Sequence, residues 1–189
     1  MRLLITGTPC TGKSTLGLEL SQLLGCPFVR VNDVVDQLGC FKLDKKEGTK
    51  IVDLKILEKN LKKILLNFGR KAGRGKNGGN NKNIVVEGHL LCDVKLPCEK
   101  MVVLRCDPVL LEKRMQKRKW SKAKISENLL AETLDYCLTN SEQNYGKKKV
   151  VQIKFTNPPS VKKAWQKIAA SKGDEVDWTR RLLARENAV

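Results

Sequence analysis

The sequence predicts a three-layer α/β fold built on a parallel sheet, and three observations predict it. Short apolar runs of strand length recur at residues 2–6, 27–31, 83–87, 100–105 and 150–155. Between several of them lie stretches whose apolar residues follow helical spacing, and strand–helix alternation of this kind favours parallel strands. The third observation is Gly7-Thr-Pro-Cys-Thr-Gly-Lys-Ser14, which falls where the first strand gives way to the first helix.

The elements follow in order. After the first strand, Leu16, Leu20, Leu23 and Leu24 recur at i, i+4, i+7 and i+8, the pattern of one apolar helix face. Gly25 closes that helix and Pro27 follows it. Residues 27–31 read as a second strand, and residues 34–52 have mixed character. Residues 53–68 form an amphipathic helix with Leu54, Leu57, Leu61, Ile64, Leu65 and Phe68 on one side. Residues 69–83 hold five glycines, five basic residues and no acid, the composition of a flexible basic loop. The strand that follows ends at Glu87-Gly88-His89. After the strand 100–105, Asp107-Pro108 supplies a cap and a first-turn proline, and helical pattern continues to about residue 138. A last strand at 150–155 and a helix at 161–170 complete a domain of residues 1–172. Residues 173–189 form a C-terminal segment, either a short helix docked near Trp178 or a tail.

Composition narrows the function. A chain of 189 residues that is 41% hydrophobic can build one core, and 5% aromatic residues offer little surface for stacking single-stranded bases. The longest apolar runs, such as 101–104, fall far short of the roughly 20 residues a bilayer needs. The apolar start stops at Thr6-Gly7, too early for a signal peptide, and no membrane partner is expected. Seven cysteines without a Cys-x-x-Cys pair, and a single histidine, argue against structural zinc. Reduced cysteines fit a cytoplasmic protein, or also a nuclear one in a eukaryote. The 37 Lys and Arg against 20 Asp and Glu give +17, which predicts attraction to nucleic acid, nucleotides or acidic surfaces.

Residues 7–14 satisfy G-x-x-x-x-G-K-[ST] in full. Glycines let successive backbone N–H groups face one phosphate, and the helix that begins near Lys13 adds its positive end. Lys13 then reaches the β- and γ-phosphates and the Ser14 hydroxyl binds Mg²⁺. Such a loop needs a carboxylate at a buried strand end, and Glu87 supplies one as a metal-shell or water-orienting residue. A strand-end salt bridge is the other reading of Glu87. His89, two residues on, lies on the same side if the chain stays extended, and is a candidate to position water or acceptor; a hydrogen-bonded loop histidine is the other reading. Arg114 and Arg118 lie on a basic helical segment suited to a lid that closes over transferring phosphate. Lys117, Lys119, Lys122 and Lys124 read as a solvated basic face.

Five segments appear in order: residues 5–16, Val31-Asn-Asp33, Val85-Val-Glu-Gly-His89, Val102-Val-Leu-Arg105-Cys-Asp-Pro, and Arg118-Lys-Trp-Ser followed by Lys124-Ile-x-Glu127-Asn128-x-x-Ala131-Glu132. Together they resemble the adenylate kinase isoenzyme 6 family, nucleotide kinase-like ATPases of ribosome biogenesis, in a form closer to archaeal members. The resemblance implies a P-loop NTPase of nucleoside-monophosphate-kinase type, with a monophosphate-binding segment near 30–53 and a short lid near 117–127. It implies ATP held by Cys10, Gly12, Lys13, Ser14 and Thr15 with Arg118 closing from the lid, and Arg114 beside it. It places Glu87 at the family's metal-shell position, with Ser14 as the other Mg²⁺ residue, and His89 at a position important for hydrolysis. Asp33 falls on the AMP side. Phosphate transfer from ATP to AMP, ATP hydrolysis, a small-subunit ribosomal protein and pre-rRNA are the activity and partners it implies.

The chain departs from that pattern in three places. Cys10 stands where glycine is common, which stiffens the loop and adds a reactive thiol. Asp36 stands where a basic residue is common, and a carboxylate there repels the AMP phosphate unless Lys42 or Arg105 compensates. The insertion at 69–83 is long, and reads equally as a tolerated surface loop or an RNA-contacting arm. Asp36 tilts the expectation toward an ATPase-linked assembly factor; another P-loop small-molecule kinase is the remaining reading.

Overall fold

In the computed structural model, which describes residues 1–45, 48–71, 83–155 and 160–179, five strands form one parallel sheet. They are β1 (Arg2–Thr6), β2 (Phe28–Arg30), β5 (Ile84–Glu87), β6 (Lys100–Arg105) and β7 (Val150–Lys154), ordered β2-β5-β1-β6-β7. β1 is central and pairs with both β5 and β6. Its side chains alternate between two cores. Leu3 and Ile5 join Val85, Val102 and Leu104 beneath α1 (Lys13–Leu23) and α7 (Val161–Ala170). Leu4 joins Val86 and Met101 beneath α2 (Val31–Leu38) and α3 (Leu54–Lys71). Burial on both faces explains why the central strands read as continuous apolar runs.

The mixed stretch resolves into two pieces. The chain turns helical at Val31, so the predicted second strand ends one residue early, and Gly39 in the left-handed region closes α2. An antiparallel hairpin follows, β3 (Phe41–Asp44) with β4 (Thr49–Val52). It stands apart from the main sheet, in the segment the resemblance assigns to monophosphate binding. The amphipathic helix extends to Lys71, so residues 69–71 belong to its last turn rather than to a loop. The remainder of the predicted basic loop, residues 72–82, lies outside the described residues.

The helix and its successor expected between residue 108 and about residue 138 are three helices. α4 (Pro108–Lys117) begins under an Asp107 cap, whose Oδ1 accepts from Val109 N at 2.9 Å, with Pro108 in the first turn. It ends at Arg118 and Lys119, the latter at φ +58°. α5 (Lys122–Thr133) restarts after Ser121, whose hydroxyl accepts from Lys124 N. Asp135, at φ +57°, breaks α5 from α6 (Tyr136–Tyr145). The C-terminal segment docks: Asp174 N donates to Gln152 O on the outer edge of β7 at 2.9 Å, and Lys154 N donates to Asp174 Oδ2 at 2.9 Å. This covers a sheet edge that would otherwise offer free pairing groups. Trp178 is 4% exposed. Residues 180–189, the rest of the predicted C-terminal helix or tail, lie outside the described residues.

Candidate active site

The loop between β1 and α1 owes its shape to two glycines. Gly7 sits at φ +142° and a Cβ there would lie 2.4 Å from Leu104 O; Gly12 sits at φ +106° and a Cβ would lie 2.7 Å from the Phe155 ring. Cys10 also takes a left-handed φ of +70°. That conformation costs an L-residue roughly 1–2 kcal/mol relative to glycine, which is the physical reason glycine suits this position. α1 starts directly at Lys13, so its first N–H groups border the loop.

Lys13 is only 8% exposed. Its Nζ donates to Gly7 O at 2.8 Å and Thr8 O at 3.0 Å, and burial pushes the ammonium below the usual lysine range. Ser14 and Thr15 face solvent at the helix start. Ser14 Oγ donates to Glu87 Oε1 at 3.0 Å, from the start of α1 to the end of β5, so the hydroxyl and the strand-end carboxylate converge beside Lys13. The hydroxyl of Thr11 is fully buried and has no partner among the described residues. Oxygen donors from Ser14 and Glu87 suit a hard divalent ion. Among the described residues no group of three His, Cys, Asp or Glu forms a protein cage. Two protein oxygens with the rest of the shell left to water and phosphate is how Mg²⁺ is held.

His89 lies in the same cleft, although the chain does not stay extended after β5. A 3₁₀ turn begins at His89, and its carbonyl accepts from Thr6 Oγ1 at 3.0 Å and Cys92 Sγ at 3.1 Å. Burial, then the nearby Lys13 ammonium, push the imidazole from 6.5 to about 4, with Lys124 acting in the same sense. At neutral pH the ring is uncharged.

Arg114 braces the loop from outside. Its Nη1 donates to Cys10 O and Thr11 O, both at 3.2 Å, and the guanidinium lies 5.6 Å from the centre of the Phe155 ring. Arg118 is exposed at the end of α4, on the rim. On the opposite side, Asp33 pairs with Arg30 Nε at 2.9 Å. Asp36 is ion-paired with Lys50 of β4, which offsets the repulsion its carboxylate would present to an acceptor phosphate.

One expected site residue is elsewhere. Arg105 cannot meet an acceptor near α2, because it ends β6, which β5 and β1 separate from β2 in the sheet order, and is 1% exposed. Its Nε donates to Glu132 Oε1 at 3.0 Å, Nη1 to Gln152 Oε1 at 3.0 Å and Nη2 to Glu132 O at 2.9 Å, with Asp135 as a further partner. Sequence reasoning passed over two residues. Glu132 is buried and accepts from Thr8 Oγ1 of the loop at 2.6 Å; a carboxylate among apolar neighbours on α5 was the available signal. Lys124, read as solvated, reaches Thr49 Oγ1 on the hairpin at 3.4 Å and lies over the Trp120 ring.

A nucleotide-phosphate loop set into a five-stranded parallel sheet, with the basic end of α4 following it in the fold, defines a P-loop phosphotransferase of the nucleotide and small-molecule kinase type. Solved structures share the fold: shikimate kinase from Aquifex aeolicus aligns with a TM-score of 0.50 at 18% identity over 90% of this chain and 98% of that one. A gluconokinase from Sinorhizobium meliloti aligns with a TM-score of 0.51 at 17% identity over 90% of both chains. Residues 3–135 match the model of the AAA domain family. A protein of Methanocaldococcus jannaschii named "Putative adenylate kinase" is 31% identical over 192 residues, spanning 97% of this chain and 96% of that one. A relative of the same name from Pyrococcus abyssi is 31% identical over 159 residues, 83% of this chain and 76% of that one. The chain belongs to this AAA-domain family, together with these archaeal kinases.

Proposed function

We propose that the protein transfers the γ-phosphoryl group of Mg·ATP to AMP, and hydrolyses ATP more slowly when AMP is absent. The observation that carries this reading is the convergence of buried Lys13 and Glu87 with exposed Ser14 at one loop, in a chain matched over 97% of its length by a relative named "Putative adenylate kinase". Loop amides and the start of α1 cradle the β-phosphate. Lys13, already held by two carbonyls, directs its third N–H toward the β- and γ-oxygens. Ser14 and Glu87 would hold Mg²⁺, which when bound would supply charge neutralisation at the transferring phosphate. Cys10, Gly12 and Thr15 line the phosphate loop. Arg114 keeps its carbonyls turned outward, and Arg118 closes from the lid over developing charge. Neutral His89 accepts or donates one hydrogen bond to the attacking water or acceptor. Asp33 and Arg30 border the AMP side.

The resemblance to the adenylate kinase isoenzyme 6 family extends the reading to small-subunit assembly, with a ribosomal protein and pre-rRNA as partners. Its support here is charge outside the ATP loop. Residues 145–172 contain eight lysines and no acid, of which Lys147–Lys149 form a single turn before β7. A phosphate loop needs none of them, whereas an RNA surface does. ATP consumption measured with and without AMP tests the core proposal. Stimulation by AMP with ADP as the product supports the kinase. Equal hydrolysis in both conditions, with RNA affinity falling steeply in salt, supports an assembly ATPase instead.

A further inference from the structure

One buried carboxylate ties the phosphate loop to the end of the described chain. Glu132 sits near the C-terminus of α5, 2% exposed. Its Oε2 accepts from the Thr8 hydroxyl at 2.6 Å. Its Oε1 accepts from Arg105 Nε and Cys106 N, both at 3.0 Å, and from Trp178 Nε1 at 3.2 Å. Trp178 is itself buried, with Lys154 lying 5.2 Å from the centre of its ring. The strap that delivers it is pinned upstream by Asp174 along β7.

We infer that Glu132 is a positioning residue for the ATP phosphate loop and that Trp178 is its clamp. The inference rests on reading residues 7–14 as the phosphate loop and adds the device that sets the loop's conformation. Thr8 follows Gly7, and the carbonyls of both hold Lys13. A hydroxyl anchored at Thr8 therefore fixes the two carbonyls that aim the ammonium. A carboxylate inside the core must be fully satisfied to stay ionised and in one rotamer. Arg105 supplies the counter-charge, while Cys106 N and the indole N–H fix the direction of Oε1. That leaves Oε2 pointed at Thr8. Without the indole, the carboxylate loses one of its three donors at Oε1, and the Thr8 anchor loosens.

The test uses the full chain, calorimetric binding of Mg·ATP and ATP turnover. Trp178→Phe keeps an aromatic ring and removes the N–H together with the volume of the indole's second ring, so its denaturant midpoint is measured alongside to report the void. Thr8→Val removes the hydroxyl, and Thr8→Ser keeps it. Trp178→Phe is expected to weaken Mg·ATP about three- to tenfold, less than the full cost of a hydrogen bond to a charged acceptor because Arg105 and Cys106 N still hold Oε1, raising KM more than it lowers kcat. Thr8→Val is expected to cost about tenfold on the same basis, with Thr8→Ser near the parent. The double variant Trp178→Phe with Thr8→Val is expected to be no worse than Thr8→Val alone, because both act through one link. Glu132→Gln is avoided because it leaves buried Arg105 with only the partly exposed Asp135 as counter-charge. Additive losses, or parental Mg·ATP affinity in Trp178→Phe, overturn the inference alone. Failure of the parent chain to bind Mg·ATP overturns the phosphate-loop reading and this inference with it.

Discussion

The chain contains one histidine, so its ionisation can be followed without assignment ambiguity. His89 is held down to about 4, first by burial and then by the Lys13 ammonium. In the unfolded chain the ring takes up a proton near its ordinary 6.5. Between those values the unfolded state binds more protons than the folded one, so stability falls as pH drops through the window and is unaffected above it. The gap corresponds to about 3 kcal/mol in full, of which about 2.5 kcal/mol is lost by about pH 4.5. Many carboxylates titrate over the same range, so the comparison must be with His89→Gln, a neutral side chain of similar reach. Urea unfolding of both proteins, free of metal and nucleotide, should show the parent losing about 2.5 kcal/mol more than the variant between about pH 7 and about pH 4.5. The imidazole carbon-bound proton, read by NMR, should titrate with a midpoint near the same value of about 4. A midpoint near 6.5 with parallel stability curves would refute the placement of the ring beside Lys13 in a dry cleft. It would also make His89 a part-time cation at neutral pH rather than a neutral hydrogen-bonding group.

Other substitutions probe the remaining parts of the site. Lys13→Ala should abolish ATP turnover while leaving far-ultraviolet circular dichroism unchanged; retained turnover would remove the loop from the chemistry. Gly7→Ala should lower stability by at least about 1–3 kcal/mol, since the methyl meets Leu104 O at 2.4 Å and φ is +142°, and denaturant midpoints check it. Arg105→Met should destabilise the fold by about 3–5 kcal/mol, because Glu132 is left as an uncompensated buried charge. A large change in KM for AMP with unchanged stability would instead return Arg105 to the acceptor side.

The phosphate loop was legible in the sequence because its chemistry is local. Gly7, Gly12, Lys13 and Ser14 act within eight residues, and a strand on one side and a helix on the other are enough to orient them. Glu87 was legible for a related reason: a carboxylate that ends an apolar run must face the mouth of a parallel sheet. Arg105 misled because the same argument applies to it, and only the strand order shows that β6 lies on the far side of β1 from the acceptor segment. Lys124 could not be separated from the polar residues around it on α5, and the apolar neighbours of Glu132 hinted at burial without saying what its carboxylate meets. Helical spacing says which residues share a face, and nothing in the spacing says that this face meets the loop, the hairpin and Trp178. The hairpin was hidden too, since Leu43 and Ile51 are more than 60% exposed and give no alternating core signal.

α5 carries contacts to both halves of the cleft. Near its start, Lys124 touches Thr49 of the hairpin; near its end, Glu132 holds Thr8 of the phosphate loop. Eight residues of helix separate them, about 12 Å at 1.5 Å per residue, and the helix between is continuous. The two contacts differ in kind. The Glu132 end is buried and charge-assisted, with four donors to its two oxygens, whereas the Lys124 end is one 3.4 Å contact beside a cation–π stack on Trp120. The Glu132 end is therefore the firmer of the two anchors of α5. If residues 117–127 act as the lid proposed above, a displacement there would strain the Lys124 contact with the hairpin before the Glu132 contact with the phosphate loop. A phosphoryl-transfer site needs that division, because the loop must hold its dipoles still while the lid admits and releases nucleotide.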